Sequence, residues 1–281
     1  VLLINLMICG RDTLINQVTW FEKYRPDTLS DFVCDDNSRK RYQHIIDTNL
    51  NQHFLFGGNA GTGKTTLSEI ICKTINCDYI VINGSDETSV DDIRGKVKTF
   101  VTTSSFTNSS VKVVIYDEME YLSKSGQAMM RKFMEQYVHL SRFILCCNEL
   151  DKVIEPIKSR CAQMNLKPPK PILVRDRLKY ILDNENIKYE IQNLNDIVNV
   201  FYNPSSDFRR VINELQNHCI GDELMKCDLS LNEDYNDLII GFEQIEFNFA
   251  KSWMIGKDRV MDLVEHKKNM DYIIDKGLLK C

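Results

Sequence analysis

The stretch Phe54–Glu69, FLFGGNAGTGKTTLSE, constrains what this chain can fold into more than any other. It contains Gly58-x-x-x-x-Gly63-Lys64-Thr65, the full P-loop spacing. An apolar run (Phe54, Leu55, Phe56) leads in and a helix-favouring run (Leu67, Ser68, Glu69, Ile70, Ile71) follows. Strand, glycine-rich turn and helix is the context in which that spacing cradles phosphate. Gly58, Gly61 and Gly63 let the backbone wrap closely, so the N–H groups of the loop (Gly58, Asn59, Ala60, Gly61, Thr62, Gly63) and of the helix start (Lys64, Thr65, Thr66) point at oxygen. The helix adds its positive dipole end beneath the same group. Lys64 reaches the outer phosphates and the Thr65 hydroxyl is suited to magnesium. A flexible Gly/Thr loop matching by chance would lack these flanks. The expected ligand is a nucleoside triphosphate.

The rest of the first two thirds reads as strands alternating with helices. Tyr79–Ile82, Val113–Tyr116 and Phe143–Cys147 are short and continuously apolar, as buried parallel strands are. Helices are expected over Arg39–Asn49, Val90 to about Thr103, and Gly126–Tyr137, with a short helical turn Glu155–Lys158 before a last strand Gln163–Leu166. This alternation predicts an α/β fold with a parallel sheet. Pro168, Pro169 and Pro171 then break the pattern and suggest a hinge. Beyond them Leu173–Asn184, Leu194–Tyr202 and Asp207–His218 read as three helices of a small domain, with no strong strand pattern. A linker-like stretch, Gly221–Asp234, precedes helical candidates at Tyr235–Phe249 and Lys257–Met270. The expected domains are 18–166, 167–222 and 223–281, with residues 1–17 set aside as an uncertain N-terminal extension: the opening is apolar but too short to span a bilayer, and the chain starts with Val1.

Several polar residues stand at strand ends, where an α/β sheet binds its ligand. Asp117 and Glu118 follow the third strand: Asp117 suits magnesium, and Glu118 suits orienting or deprotonating an attacking water. Glu120 reads as a solvated carboxylate. Asn148 ends the fourth strand, either as a turn former or as an amide near the terminal phosphate. Asn148-Glu149-Leu150-Asp151 lacks the lysine of a guanine-reading motif, which favours ATP. Arg160 in Ser159-Arg160-Cys161 reads as a surface ion pair or as an arginine finger for a neighbouring subunit. Arg209 starts a helix capped near Asp207, and reads as a surface ion pair or as a group reaching back to phosphate.

The net charge is −5, so any nucleic-acid contact must come from a local patch. Arg94 and Lys98, four apart on one helix face with Lys96 beside them, are the candidate, against a solvated face paired with Asp91 and Asp92. Arg131-Lys132 is a second basic point. Ten cysteines are scattered without a Cys-x-x-Cys pair, which favours free thiols in a reducing compartment.

Together these motifs resemble the AAA+ ATPase subunits of sliding-clamp loaders. The family's N-terminal box is similar to Trp20-Phe21-Glu22-Lys23-Tyr24-Arg25-Pro26 with Leu29 and Asp31-Phe32-Val33. The P-loop, Asn83–Glu87, Asp117-Glu118, Asn148, Ser159–Cys161 and Asp207-Phe208-Arg209 follow in family order over residues 20–220. The resemblance implies an AAA+ P-loop module with a helical lid and a collar, working in a ring or spiral, expected as a pentamer, of like or unlike subunits. Such an assembly binds ATP and Mg2+, opens a sliding clamp and places it on primer–template DNA. It implies that Tyr24 and Val33 line the adenine pocket, that Arg160 acts in trans, and that Arg209 acts in cis. It also implies that Arg94, Lys96 and Lys98 track the DNA backbone. Residues 223–281 are short for the family's collar, so a partial or minimal one is expected, and Met119-Glu120 replaces the commoner Ala-Asp. Two subgroups compete, the large clamp-loader subunit of tailed phages and the replication factor C small subunit of archaea and eukaryotes; SDFRRVINEL and NGSDETSVDDIRG look nearer the phage form. The implied location is the cytoplasm, a host's if phage-encoded, or the nucleus, and not a membrane. The rivals are a branch-migration motor, which would carry extra DNA-translocating parts, and a scaffold subunit that hydrolyses nothing.

Overall fold

The computed structural model describes residues 18–85, 90–105, 111–202 and 207–227. The expectations for residues 1–17, for Asp86 and Glu87, and for the helices beyond 227 lie outside the described residues. A short helix α1 (Trp20–Lys23) and α2 (Asp36–Asp47) precede β1 (His53–Gly57). Then come α3 (Lys64–Thr74), β2 (Tyr79–Asn83), α4 (Val90–Thr102), β3 (Lys112–Asp117), α5 (Lys124–Gln136), β4 (Ser141–Cys147), α6 (Glu155–Lys158) and β5 (Cys161–Asn165). All five strands are parallel, in the order β2-β3-β4-β1-β5.

Alternation along the strands feeds two cores. Leu55, Val114, Tyr116, Phe143 and Leu145 face α4 and α5, while Phe54, Phe56, Val113, Ile115 and Ile144 face α2 and α3. A strand buried on both faces needs apolar residues at every position, which is why these segments read as unbroken runs. Local signals set the helix starts: the Asp35 carboxylate accepts from the N–H groups of Asn37 and Ser38 at 3.0 Å, and Ser123 Oγ accepts from Gly126 N at 3.2 Å.

The sheet order positions the site. Gly57 pairs with Cys147, so the P-loop and Asn148 leave the sheet side by side. Tyr116 pairs with Leu145, so Asp117 ends β3 at the same edge. Two connections leave β1 and β4 in opposite directions, which opens the crevice where ligands of α/β sheets bind.

Three further helices, α7 (Pro171–Glu185), α8 (Ile191–Phe201) and α9 (Phe208–Asn217), share a third core of Val174, Leu178, Ile181, Leu194, Ile197, Val211 and Leu215. Of the linker-like stretch Gly221–Asp234 the structure describes residues 221–227, and the sequence carries no strong strand pattern beyond the prolines. Instead β6 (Cys219–Ile220) and β7 (Glu223–Leu224) form an antiparallel hairpin, with Leu224 buried in the third core. Gly221, at φ +60°, makes the reversal. The N-terminal box ties these helices to the rest. Trp20, Phe21 and Tyr24 pack on the third core, and Trp20 N donates to Gln216 Oε1 at 2.9 Å. Arg25 meets Glu69 on α3 at 3.1 Å, and Arg39 on α2 donates to the carbonyls of Leu29 and Phe32. Among the described residues no helix is long and apolar enough to cross a membrane.

Candidate nucleotide-binding site

A cleft of about 350 Å³ lies between the sheet edge and the helices that follow Pro169. Tyr24, Phe32 and Val33 line one part; Ala60, Gly61, Thr62, Gly63, Lys64, Thr65 and Thr66 line the floor; Asp117, Glu118, Asn148, Arg177 and Arg209 complete it. The structure therefore brings together most of the residues expected to bind nucleotide, including Tyr24 and Val33 from a segment some thirty residues upstream of the P-loop, whereas Gly58 and Asn59 do not line the cleft.

Lys64 starts α3 and is only 7 % exposed. Its ammonium donates to Gly58 O at 2.8 Å, Asn59 O at 2.9 Å and Asn148 Oδ1 at 2.7 Å. Burial draws its pKa below the ordinary lysine value, and Cys146, Asp117 and Glu120 act in the opposite direction. Thr65 Oγ1 donates to Asp117 Oδ2, while Asp117 Oδ1 accepts from Glu118 N at 3.0 Å. Glu118 turns the chain out of β3 in the left-handed region, φ +55° and ψ +47°, a conformation uncommon for a side chain larger than glycine. Its Oε2 is buried without a hydrogen-bond partner. Strain and an unsatisfied carboxylate oxygen in one residue at a cleft are features that cluster at functional sites.

These residues fit a magnesium nucleotide. The floor is a backbone cradle: a Cβ at Gly61 would sit 1.8 Å from Asp207 Oδ1, and one at Gly63 would sit 2.7 Å from the Phe32 ring. Among the described residues no group of three His, Cys, Asp or Glu is placed to hold a metal alone. A magnesium ion here would use Thr65 and Asp117 and draw the remaining oxygens from phosphate and water, the usual shell for that ion.

Two expected residues stand differently from their readings. Arg209 faces the cleft, but its Nε lies 3.1 and 3.0 Å from the two oxygens of Asp207, and its guanidinium sits 5.8 Å from the centroid of the Phe21 ring. Asp207 also caps α9 through Arg209 N at 2.9 Å. Glu120 is not the solvated carboxylate expected. Its Oε1 accepts from both the backbone N–H of Asn148 at 3.0 Å and Nδ2 at 2.7 Å, and its Oε2 is buried. β3 and β4 are neighbours, so a side chain from the turn after β3 reaches the end of β4. Sequence offered no signal for that reach.

Three contacts to α7 were also missed. Tyr24 Oη donates to Glu185 Oε1 at 2.7 Å, Lys23 meets the same oxygen at 2.6 Å, and Arg177 Nη2 donates to Tyr24 O at 2.8 Å. Burial first, then the Glu185 bond, raises the Tyr24 hydroxyl pKa, so it stays a donor.

The remaining expected residues lie elsewhere. Arg160 does not line the cleft; its Nη2 pairs with Glu135 at 2.6 Å on the surface. Arg94, Lys96 and Lys98 are exposed on α4, whose opposite face buries Ile93, Val97 and Val101, and Arg94 pairs with Asp91 at 2.9 Å.

Residues 54–169 match the family described as "ATPase family associated with various cellular activities (AAA)". The chain is 37% identical over 209 residues to a replication factor C small subunit of Sulfurisphaera tokodaii, covering 73% of this chain and 63% of that protein. It is 34% identical over 214 residues to the one of Archaeoglobus fulgidus, covering 74% of this chain and 66% of that protein. The chain thus spans just under two thirds of the length of these relatives. Both are archaeal, so the reading of the sequence as nearer the phage form draws no support from them. In fold it is similar to the Holliday junction branch migration motor RuvB of Thermotoga maritima, with a TM-score of 0.62 at 16% identity over 84% of this chain and 86% of that one. Residues 54–169 thus match an AAA family, in a chain that is similar to the replication factor C small subunits along nearly three quarters of its length.

Proposed function

We propose that this chain is an ATP-hydrolysing subunit of a DNA polymerase sliding-clamp loader, acting in DNA replication. The observation that carries the proposal is the meeting of Lys64, the Thr65–Asp117 pair and Glu118 at one sheet edge, with Arg160 facing outward. Such a site would, with magnesium bound, support phosphoryl transfer, and Arg160 is suited to supply a further cation to a neighbour. The similarity to replication factor C small subunits supports the clamp-loader reading over a branch-migration motor, whose likeness is one of fold.

In this reading Tyr24 and Val33 hold the base, and the backbone of 58–66 cradles the phosphates. Lys64 leaves its carbonyl partners for the outer phosphates. Magnesium, when bound, neutralises charge on the phosphate oxygens next to Thr65 and Asp117. Glu118 orients and deprotonates water, Asn148 presents its amide to the reacting phosphate, and Arg209 leaves Asp207 to reach phosphate in cis. Arg94, Lys96 and Lys98 contact the backbone of primer–template DNA, a local and salt-sensitive attraction that needs no net positive chain. The partners are further clamp-loader subunits, like or unlike this chain, in a five-membered spiral, and the clamp itself. Eight described cysteines are free, which suits a reducing compartment such as cytoplasm or nucleus.

The test is steady-state ATP hydrolysis with and without primer–template DNA plus the cognate clamp and partner subunits. Joint stimulation by DNA and clamp is expected. Turnover indifferent to both would refute the clamp-loader reading while leaving an AAA ATPase.

A further inference from the structure

The pair Glu120–Asn148 is a polar contact that neither the phosphate cradle nor the Asp117–Glu118 pair requires. We infer that Glu120 is a positioning residue that fixes the Asn148 side-chain amide in one orientation for ATP hydrolysis. The inference deepens the proposed function and rests on its reading of Asn148.

Chemistry on both sides of the amide sets that orientation. A carboxylate only accepts and an ammonium only donates. Glu120 Oε1 takes Asn148 Nδ2 at 2.7 Å, and Lys64 Nζ takes Asn148 Oδ1 at 2.7 Å. Turning the amide over would set acceptor against acceptor at Glu120 and donor against donor at Lys64. The backbone N–H of Asn148 binds the same Oε1 at 3.0 Å, so Glu120 grips the residue at two points. Glu120 is itself anchored, because the turn that carries it begins at Met119, which is fully buried in the core under α4 and α5.

The arrangement gives Lys64 and Asn148 different dependences on Glu120. Phosphate competes with Asn148 for Lys64, and once Lys64 turns to phosphate only Glu120 still holds the amide. One N–H of Nδ2 is committed to Glu120, which fixes the direction of the other. Glu120 does not line the cleft, so it has no direct contact to offer a nucleotide. Its loss is therefore expected in turnover rather than in binding.

The test combines kinetics with an observation independent of activity. Glu120→Ala is expected to lower kcat by about 10–100-fold, less than the roughly 100–1,000-fold for outright loss of a preorganised donor because the Asn148 amide remains, with KM for ATP within about threefold. Glu120→Gln keeps an acceptor of the same reach and is expected to recover most of that loss. Combined with Asn148→Ala, Glu120→Ala is expected to add no further loss, because both changes remove one interaction. Additive losses, or a raised KM with unchanged kcat, would overturn the inference. The second observation is the Asn148 side-chain NH2 resonance in asparagine-labelled protein, identified by its absence in Asn148→Ala. It is expected to move toward free-amide values in Glu120→Ala and to stay nearer its original place in Glu120→Gln. An unmoved resonance overturns the inference. A wild type without ATP hydrolysis but with the resonance shift would instead refute the proposed function and leave the positioning contact standing.

Discussion

Gly63→Ala tests how tightly the P-loop is built against the N-terminal box. Gly63 caps α3 at φ +87° and ψ +21°, the left-handed region. A Cβ there would lie 2.7 and 2.9 Å from two ring carbons of Phe32. The ring has little room to retreat: Phe32 is 5% exposed, lies edge-on to Tyr42 at 6.0 Å, and its carbonyl is held by Arg39 at 3.0 Å. The left-handed backbone costs a non-glycine residue roughly 1–2 kcal/mol, and overpacking a filled site costs about 1–3 kcal/mol. Gly63→Ala should therefore destabilise the fold by roughly 2–5 kcal/mol in urea denaturation. Phe32→Leu in the same background should recover only the packing share, so a double-mutant cycle should show coupling of about 1–3 kcal/mol. A loss within about 0.5 kcal/mol of zero, or strict additivity, would refute the reasoning.

Other predictions concern stability away from the phosphates. His53 is 7% exposed, its Nδ1 accepts from Phe143 N at 3.1 Å, and burial, followed by the charge of Arg142, pulls its pKa from 6.5 down to about 4. The unfolded chain binds that proton first, so this contribution is complete above pH 6.5 and is lost as pH falls toward about 4. It amounts to roughly 3 kcal/mol at most, and His53→Gln should flatten the denaturation midpoint across that window; an equally steep variant would contradict the assignment. Tyr24→Phe should lower stability by about 1 kcal/mol by removing the hydroxyl bond to Glu185, read as a shift in the same midpoint, and no shift would show the bond to be idle. Arg160→Ala should change stability by less than about 1 kcal/mol, since its pair with Glu135 is solvent-exposed; a larger loss would give Arg160 a structural role.

Much of the α/β half was legible because its determinants are local. The central strands are nearly unbroken apolar runs, the P-loop is a fixed spacing, Asp117 ends a strand, and Glu118 and Asn148 directly follow strands. What was not legible depends on which elements become neighbours. Glu120 reaches Asn148 only because β3 lies beside β4, and Tyr24 finds Glu185 across 161 positions of sequence. The hairpin at 219–224 has two residues per strand, too few for alternation to show. The four-residue helix at Trp20–Lys23 is likewise shorter than any period that could reveal it.

The central claim is a site completed across subunits, and mixing two inactive variants tests it most directly. In the proposed mechanism Glu118→Gln lacks the base in cis, and Arg160→Ala lacks the cation in trans. ATP hydrolysis would be measured for each alone and for their mixture, with clamp and primer–template DNA present. Where copies of this chain adjoin, the account predicts that the mixture exceeds the sum of the two, because an intact Glu118 then meets an intact Arg160. A mixture no more active than that sum would contradict it.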